Sequence, residues 1–223
     1  MTSGDGNSGY LSNTETIDFA GNNSEPSIYP DHPRIIQGAT GGSLHQKFIT
    51  CGGYDSDEGH TNKCYLLGSE EPFATMKRER WFAASVVLEP GKLWILGGED
   101  KNRNTLSSTE YIFADGSNEE GPPMPIALMC HAMVKINQST SILVGGYICW
   151  SCDASKRTWF YDGNWIEGPD LQIARYDHSV GIIRDQVTDQ VYVVVAGGVV
   201  SYILQHVEIL SVTGTAWETG NLL

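Results

Sequence analysis

The fold is decided by a stretch that the chain repeats, Phe48-Ile49-Thr50-Cys51-Gly52-Gly53. It returns as Leu93-Trp94-Ile95-Leu96-Gly97-Gly98, as Ser141-Ile142-Leu143-Val144-Gly145-Gly146 and as Val193-Val194-Val195-Ala196-Gly197-Gly198. The second glycines stand 45, 48 and 52 residues apart. One glycine pair means little in a chain with 25 glycines. Four, each behind a branched or aromatic run and at near-constant spacing, define a repeat, and repeats of this period are single units that need neighbours to bury their apolar faces.

Working outward from each pair, the same order of short β-type runs recurs. In the first unit residues 34–40 and 47–51 read as strands, 54–62 as a polar loop and 64–67 as a third strand, with a fourth short element around Phe73 and Met76. The second unit runs 81–88, 93–96 and 109–113, with the turn Glu89-Pro90-Gly91-Lys92 and a charged loop at 99–105. The third has 130–136, 141–146, 157–161 and Trp165; the fourth has 178–183, 190–198, 206–210 and Trp217. A further run at 14–20 precedes them.

Overlaying the units aligns Met76, Met124, Leu171 and Leu222. Four residues after the first three come Arg80, Leu128 and Arg175, and seven after come Ala83, His131 and His178, with Gln37 taken as their counterpart in the first unit. On the third strand Glu15, Glu110 and Glu208 align, with Cys64 and Trp159 in the other units. No helical periodicity lies between the runs. The predicted class is all-β: a β-propeller of four-stranded antiparallel blades, in which radial repetition leaves only short edges.

These residues resemble the Kelch family. The features that carry the resemblance are Gly52, Gly53, Gly97, Gly98, Gly145, Gly146, Gly197 and Gly198, with the aromatics Phe73, Trp165 and Trp217 about 20 residues behind three of the pairs. The glutamate-containing third strand and the closers followed by arginine, as in residues 168–175, complete the set; the second unit lacks the aromatic. The resemblance implies a blade whose first strand lines a central channel, whose glycines end the second strand where blades crowd, and whose aromatics pack between blades. It divides the chain into the outer half of a preceding blade at 1–33 and blades at 34–77, 78–125, 126–172 and 173–223. That is about four and a half blades in one propeller domain with the ring not closed, so the expectation is a fragment of a longer polypeptide or open edges that meet other chains.

Composition narrows the function. No run of about 18 apolar residues is present to span a bilayer. Fourteen basic residues against 27 acidic give a net charge of −13, which repels phosphate backbones and argues against nucleic-acid binding. The opening MTSGDGNSGY has no basic region followed by an apolar one. Five cysteines leave at least one unpaired. Cys51 closes one run and Cys64 opens the next, so the pair Cys51–Cys64 can face across adjacent strands. Cys149-Trp150-Ser151-Cys152 reads as a loop disulfide, Cys149–Cys152, with a redox pair, half a zinc site or plain thiols as the other readings. With the sequons at Asn22 and Asn137, the cysteines lean towards an extracellular or secretory location, the cytoplasm being the alternative.

His131 and His178 read either as a metal or anion site in the channel or as structural groups bonding neighbouring backbone. No nucleophile elbow, zinc-protease helix, phosphate loop or dinucleotide fingerprint occurs, so neither catalysis nor a cofactor or metal is expected. The resemblance implies partners bound on the face built by loops between second and third strands and between blades. On those loops Arg80, Arg103, Trp150, Arg175 and Tyr176 are of the types that dominate interfaces, with pairing of Arg80 and Arg175 to Glu110 and Glu208 as the structural alternative. The expectation is a protein-interaction scaffold whose partner is protein, including other copies or the rest of its own chain. A structural or matrix component is the second reading. A carbohydrate binder or propeller enzyme such as a copper radical oxidase is the third, echoed by Tyr147 near Cys149.

Overall fold

The computed structural model describes residues 30–220, together with the backbone of Asp5–Gly6 and Gly9–Tyr10, which pair with each other. The run at 14–20, Glu15, the Asn22 sequon and Leu222 lie outside the described residues. Within them the protein is all-β, without helices, and its frame is four antiparallel sheets of four strands, each in simple consecutive order.

The first sheet comprises Thr40–Leu44, Lys47–Cys51, Lys63–Leu66 and Ala74–Thr75. The second comprises Ala84–Glu89, Lys92–Leu96, Thr109–Phe113 and Asn118–Gly121. The third is Ala132–Lys135, Ser141–Val144, Thr158–Tyr161 and Trp165–Glu167; the fourth is Ser179–Arg184, Val191–Ala196, Val207–Ser211 and Glu218–Gly220. A small sheet of Ile36–Gln37, Tyr54–Asp55 and Gly59–His60 adjoins the first.

The second strands of the second and third sheets read as unbroken apolar runs because both their faces are covered. Ile49 and Cys51 pack with Leu93, Ile95 and Ile112 in one core; Trp94 and Leu96 pack with Met133, Leu143 and Trp159 in the next; Ile142 and Val144 pack with Val193, Val195 and Leu210 in the third. Each core therefore lies between two consecutive sheets, odd positions of a strand feeding one and even positions the other. A fully buried Leu, Ile or Val contributes roughly 1.5–3 kcal/mol, and none of these faces is buried without its neighbour. The outer-strand aromatics Trp165 and Trp217 project back into the core shared with the preceding sheet, and Trp217 Nε1 donates to the Pro169 carbonyl at 2.9 Å.

The register corrects one alignment and four strand starts. Thr40 faces Cys51 as Ala84 faces Leu96, Ala132 faces Val144 and Ser179 faces Ala196. The counterpart of Ala83, His131 and His178 is thus Ala39, not Gln37, and the first strand of the first unit is Thr40–Leu44 rather than 34–40. Its Gly42 faces the closely packed second sheet, where a Cβ would lie 2.8 Å from Val87 and 2.9 Å from Leu93, and a Cβ on Gly41 would lie 2.1 Å from the Ile49 carbonyl oxygen of its own sheet. The runs expected to start at 81, 130 and 178 likewise start later. Each sheet is entered through a left-handed residue, Gly38, Phe82, Cys130 or Asp177, with φ of 63°, 55°, 53° and 51°. Such a conformation costs a non-glycine residue on the order of 1 kcal/mol or more, and here it aims the backbone sideways. Phe82 N–H donates to the Gly38 carbonyl at 3.0 Å, Cys130 N–H to Phe82 at 2.9 Å and Asp177 N–H to Cys130 at 3.1 Å. A chain of backbone hydrogen bonds thereby runs across all four units.

The glycine pairs end the second strands at the junctions, all eight at positive φ. A Cβ on Gly52, Gly97 or Gly145 would lie 2.3, 2.4 or 2.6 Å from the carbonyl oxygen of Arg80, Leu128 or Arg175 in the following unit. The same three carbonyls accept from the N–H of Gly53, Gly98 and Gly146 at 2.8, 2.9 and 2.9 Å. Glycine is required there by close approach and backbone sign together.

Candidate binding face

Beyond each glycine pair the chain crosses one end of the sheets, and the residue that follows pairs with the one preceding the left-handed turn. Tyr54 pairs with Gln37, Glu99 with Trp81, Tyr147 with Met129 and Val199 with Tyr176. This four-fold arrangement gathers aromatic side chains from different units. Trp81 stacks on Phe82 with centroids 4.3 Å apart, and Tyr54 and His60 meet Trp81 at 5.7 and 5.3 Å. Trp150 lies 5.8 Å from Trp81 and 6.4 Å from Tyr147, which meets Tyr176 at 4.4 Å. The rings form one band across three junctions.

The band is held from beneath by Glu99, which is 0% exposed. Its Oε2 accepts a hydrogen bond from Trp150 Nε1, and its Oε1 lies 3.6 Å from His60 Nε2 and 3.7 Å from Arg103 Nη1 without a hydrogen bond of its own. Arg103 sits in the left-handed region at φ 66° and places its guanidinium 5.8 Å from the Trp81 ring. The loop carrying it is folded by Asp100, whose Oδ1 accepts from the N–H of Asn102 and Asn104 at 2.8 and 2.9 Å. Burial works against that carboxylate, yet the bonds from Asn104 and Asn102 hold it below the usual range. Trp150 is 48% exposed and bracketed by the Cys149–Cys152 disulfide, which restricts its loop. The second disulfide, Cys51–Cys64, joins paired strands of the first sheet.

Of the residues expected to bind, Arg103, Trp150 and Tyr176 therefore share one face. Arg80 and Arg175 do not: they are 1% and 0% exposed. Arg80 Nη2 reaches Glu110 at 3.0 Å and Arg175 Nη2 reaches Glu208 at 2.6 Å, while each Nη1 donates to a glycine carbonyl, of Gly97 or Gly197, at 2.8 Å. The two glutamates also accept from the backbone N–H of Lys77 and Gln172 at 2.7 and 2.6 Å. Burial pushes the Arg80 guanidinium below the ordinary arginine value, Glu110 pulling it part of the way back. These arginines tie linker to strand; the structural alternative is the one realised.

His131 and His178 are wedged at the junctions. A Cβ on Gly97 would meet the His131 ring at 2.8 Å, and one on Gly145 the His178 ring at 2.7 Å, so each ring fills the space left by the preceding unit's glycine. Burial lowers His131 to about 3 and His178 to about 4, electrostatic repulsion from His178 on protonation and from the Arg175 guanidinium respectively adding to the effect. Both are neutral at physiological pH. They border a cavity of about 150 Å³ among the left-handed residues, where burial pushes the free Cys130 thiol up, Asp177 adding to it. Among the described residues no group of three or more His, Cys, Asp or Glu is arranged to hold a metal ion. Cys149 is occupied by its disulfide, which leaves no thiol for the cross-link to Tyr147 that a copper radical oxidase requires.

Tyr54, His60, Trp81, Phe82, Glu99 and Tyr147 were not among the expected binding residues. Their signal lay in the alignment: Tyr54, Glu99 and Tyr147 each follow a glycine pair and Trp81 and Phe82 precede a first strand, and the residues at those places become neighbours once the units stack, while His60 lies further along the loop after Gly53.

Compared with known protein families and with curated proteins, the chain matches none. No helix among the described residues is long and apolar enough to cross a membrane.

Proposed function

We propose that the four sheets are blades of a Kelch-type β-propeller and that the protein is an interaction module binding a protein partner through the aromatic band. The propeller reading is supported by the shared strand order, by cores confined between consecutive sheets, and by the side-on hydrogen bonds at the left-handed residues. The binding reading is carried by one observation: Trp150, half exposed, is clamped by a disulfide and by the buried Glu99 carboxylate beside the exposed guanidinium of Arg103. Tryptophan, tyrosine and arginine on a rigid base are what interface centres are made of, since their ordering cost is already met before the partner arrives. Two disulfides fit an oxidising, extracellular or secretory setting, where the exposed Asn137 is a candidate for glycosylation.

The test compares the wild-type protein with Trp150→Ala and Arg103→Ala as baits in quantitative affinity mass spectrometry, followed by titration of the recovered partner. Both variants are expected to lose the partner by roughly tenfold or more, Arg103→Ala at a near-unchanged thermal midpoint and Trp150→Ala at a lower one, because the buried Glu99 carboxylate loses its hydrogen bond. Equal partner sets and affinities would overturn the reading. Binding to a glycan array that Trp150→Ala abolishes would move the protein to the carbohydrate binders.

A further inference from the structure

Every junction between consecutive sheets repeats two backbone hydrogen bonds. The N–H of the second glycine reaches forward to the carbonyl of Arg80, Leu128 or Arg175, and the N–H of the next left-handed residue reaches back to Gly38, Phe82 or Cys130. At the fourth sheet the same two groups, Gly198 N–H and the Asp177 carbonyl, have no such partner among the described residues. Gly197 shows the same vacancy: a Cβ there would meet nothing nearer than the Leu204 carbonyl at 3.8 Å, and one on Gly181 would meet nothing within 4 Å.

The side chains agree with the backbone. Trp94, Leu96, Ile142 and Val144 are 0% exposed, whereas their counterparts Val194 and Ala196 are partly exposed. Ile183, the counterpart of the buried Ile136, is 55% exposed. The face is a fourth copy of three faces that are filled, and those three specify its occupant: the leading side of another sheet of this kind.

We propose that the occupant is the first sheet of a second copy of this chain, docked head to tail. In that copy Ile36 stands where Arg80, Leu128 and Arg175 stand, and Gly38 where Phe82, Cys130 and Asp177 stand, so its Ile36 carbonyl and Gly38 N–H take up Gly198 N–H and the Asp177 carbonyl. Phe48, the counterpart of the fully buried Leu93, is 43% exposed and supplies apolar contact. The contact is heterologous, so it continues into a ring or an open string of copies. The net charge of −13 on each copy opposes it, and added salt therefore strengthens it.

Sedimentation of the full chain across a wide concentration range, at low and high salt, tests this. The wild type is expected to associate with concentration, more strongly in high salt. Phe48→Glu blocks one end; Ile183→Glu and Gly181→Tyr, the latter adding bulk into open space, block the other, and each alone is expected to weaken association by roughly tenfold or more. A mixture of Phe48→Glu with Gly181→Tyr, each keeping one intact face, forms a one-to-one pair and nothing longer. A wild type that stays monomeric throughout, end-blocked variants that associate like it, or a mixture that fails to pair would overturn the proposal. Thermal midpoints close to wild type confirm that the variants are folded. None of these substitutions touches the aromatic band, so failure here leaves the binding reading standing, and the converse.

Discussion

Arg175 and Glu208 meet at 2.6 Å with both side chains sealed from water, and Arg80 and Glu110 repeat the contact at 3.0 Å two units earlier. The units without this pair carry uncharged residues at both positions: Leu128 with Trp159, and Ile36 with Tyr65, since the register sets Tyr65 opposite Thr50 as Glu110 is opposite Ile95 and so replaces Cys64 in the sequence-based alignment. The chain thus contains both solutions to one packing problem, each internally matched.

Removing one partner of the pair leaves the other charge buried, which costs about 3–5 kcal/mol, whereas replacing both with apolar groups is far milder. Glu110→Ala is therefore expected to be more destabilising than the double change Arg80→Leu/Glu110→Leu. Urea unfolding of the two variants decides it; additive losses would contradict the matched-pair account.

Acid should weaken the fold through the junction histidines. In the unfolded chain they take up protons near the ordinary value of 6.5, but in the folded chain only at about 3 for His131 and about 4 for His178. Their cost is absent above the unfolded value and grows as pH falls from there towards about 4 for His178 and about 3 for His131, reaching on the order of 1–2 kcal/mol per ring at pH 5. His131→Ala, the residue already present at Ala39 and Ala83, should flatten the stability profile over that interval.

Two equivalent glycines should respond unequally to the same change. Gly145→Ala and Gly197→Ala each pay about 1–2 kcal/mol for a left-handed alanine. At Gly145 the new methyl also falls 2.6 Å from the Arg175 carbonyl, adding a further 1–3 kcal/mol or so, while at Gly197 it falls in open space. Thermal unfolding of the two variants separates these terms.

The disulfides should also differ. Cys51 and Cys64 are 13 residues apart, a loop whose closure is worth about 3 kcal/mol, while Cys149 and Cys152 are 3 apart and worth about 1.5 kcal/mol. Cys51→Ser/Cys64→Ser is expected to lower the unfolding midpoint more than Cys149→Ser/Cys152→Ser. The latter should instead increase acrylamide quenching of tryptophan fluorescence, as Trp150 loses its bracket.

Much of the frame was legible because it is periodic. The apolar runs before Gly53, Gly98, Gly146 and Gly198 fix the second strands, those before Gly98 and Gly146 being buried on both faces, and the alignment of Arg175 with Arg80 places both opposite a glutamate one strand away. What misled was the assumption that an arginine in a connection faces solvent. Whether Arg80 is exposed depends on Glu110 and on the Gly97 and Ser108 carbonyls meeting it, contacts up to 30 residues distant in sequence. The strand starts were missed for a similar reason, since nothing about Phe82 or Cys130 announces a left-handed backbone. The aromatic band was hidden because Tyr54, Trp81, Tyr147 and Tyr176 belong to four different units and become one surface only through stacking.

The unmatched Gly198 amide has a consequence for how the molecule breathes. Gly53, Gly98 and Gly146 give their amide hydrogens to the next unit, so these can trade with deuterium only when a junction opens. Among the described residues the Gly198 hydrogen has no such acceptor, and in the single chain it should exchange soonest of the four. Since each sheet leans only on its neighbours, opening should begin at the fourth sheet and work inward, so that protection rises stepwise from the residues around Gly198 back towards Gly98.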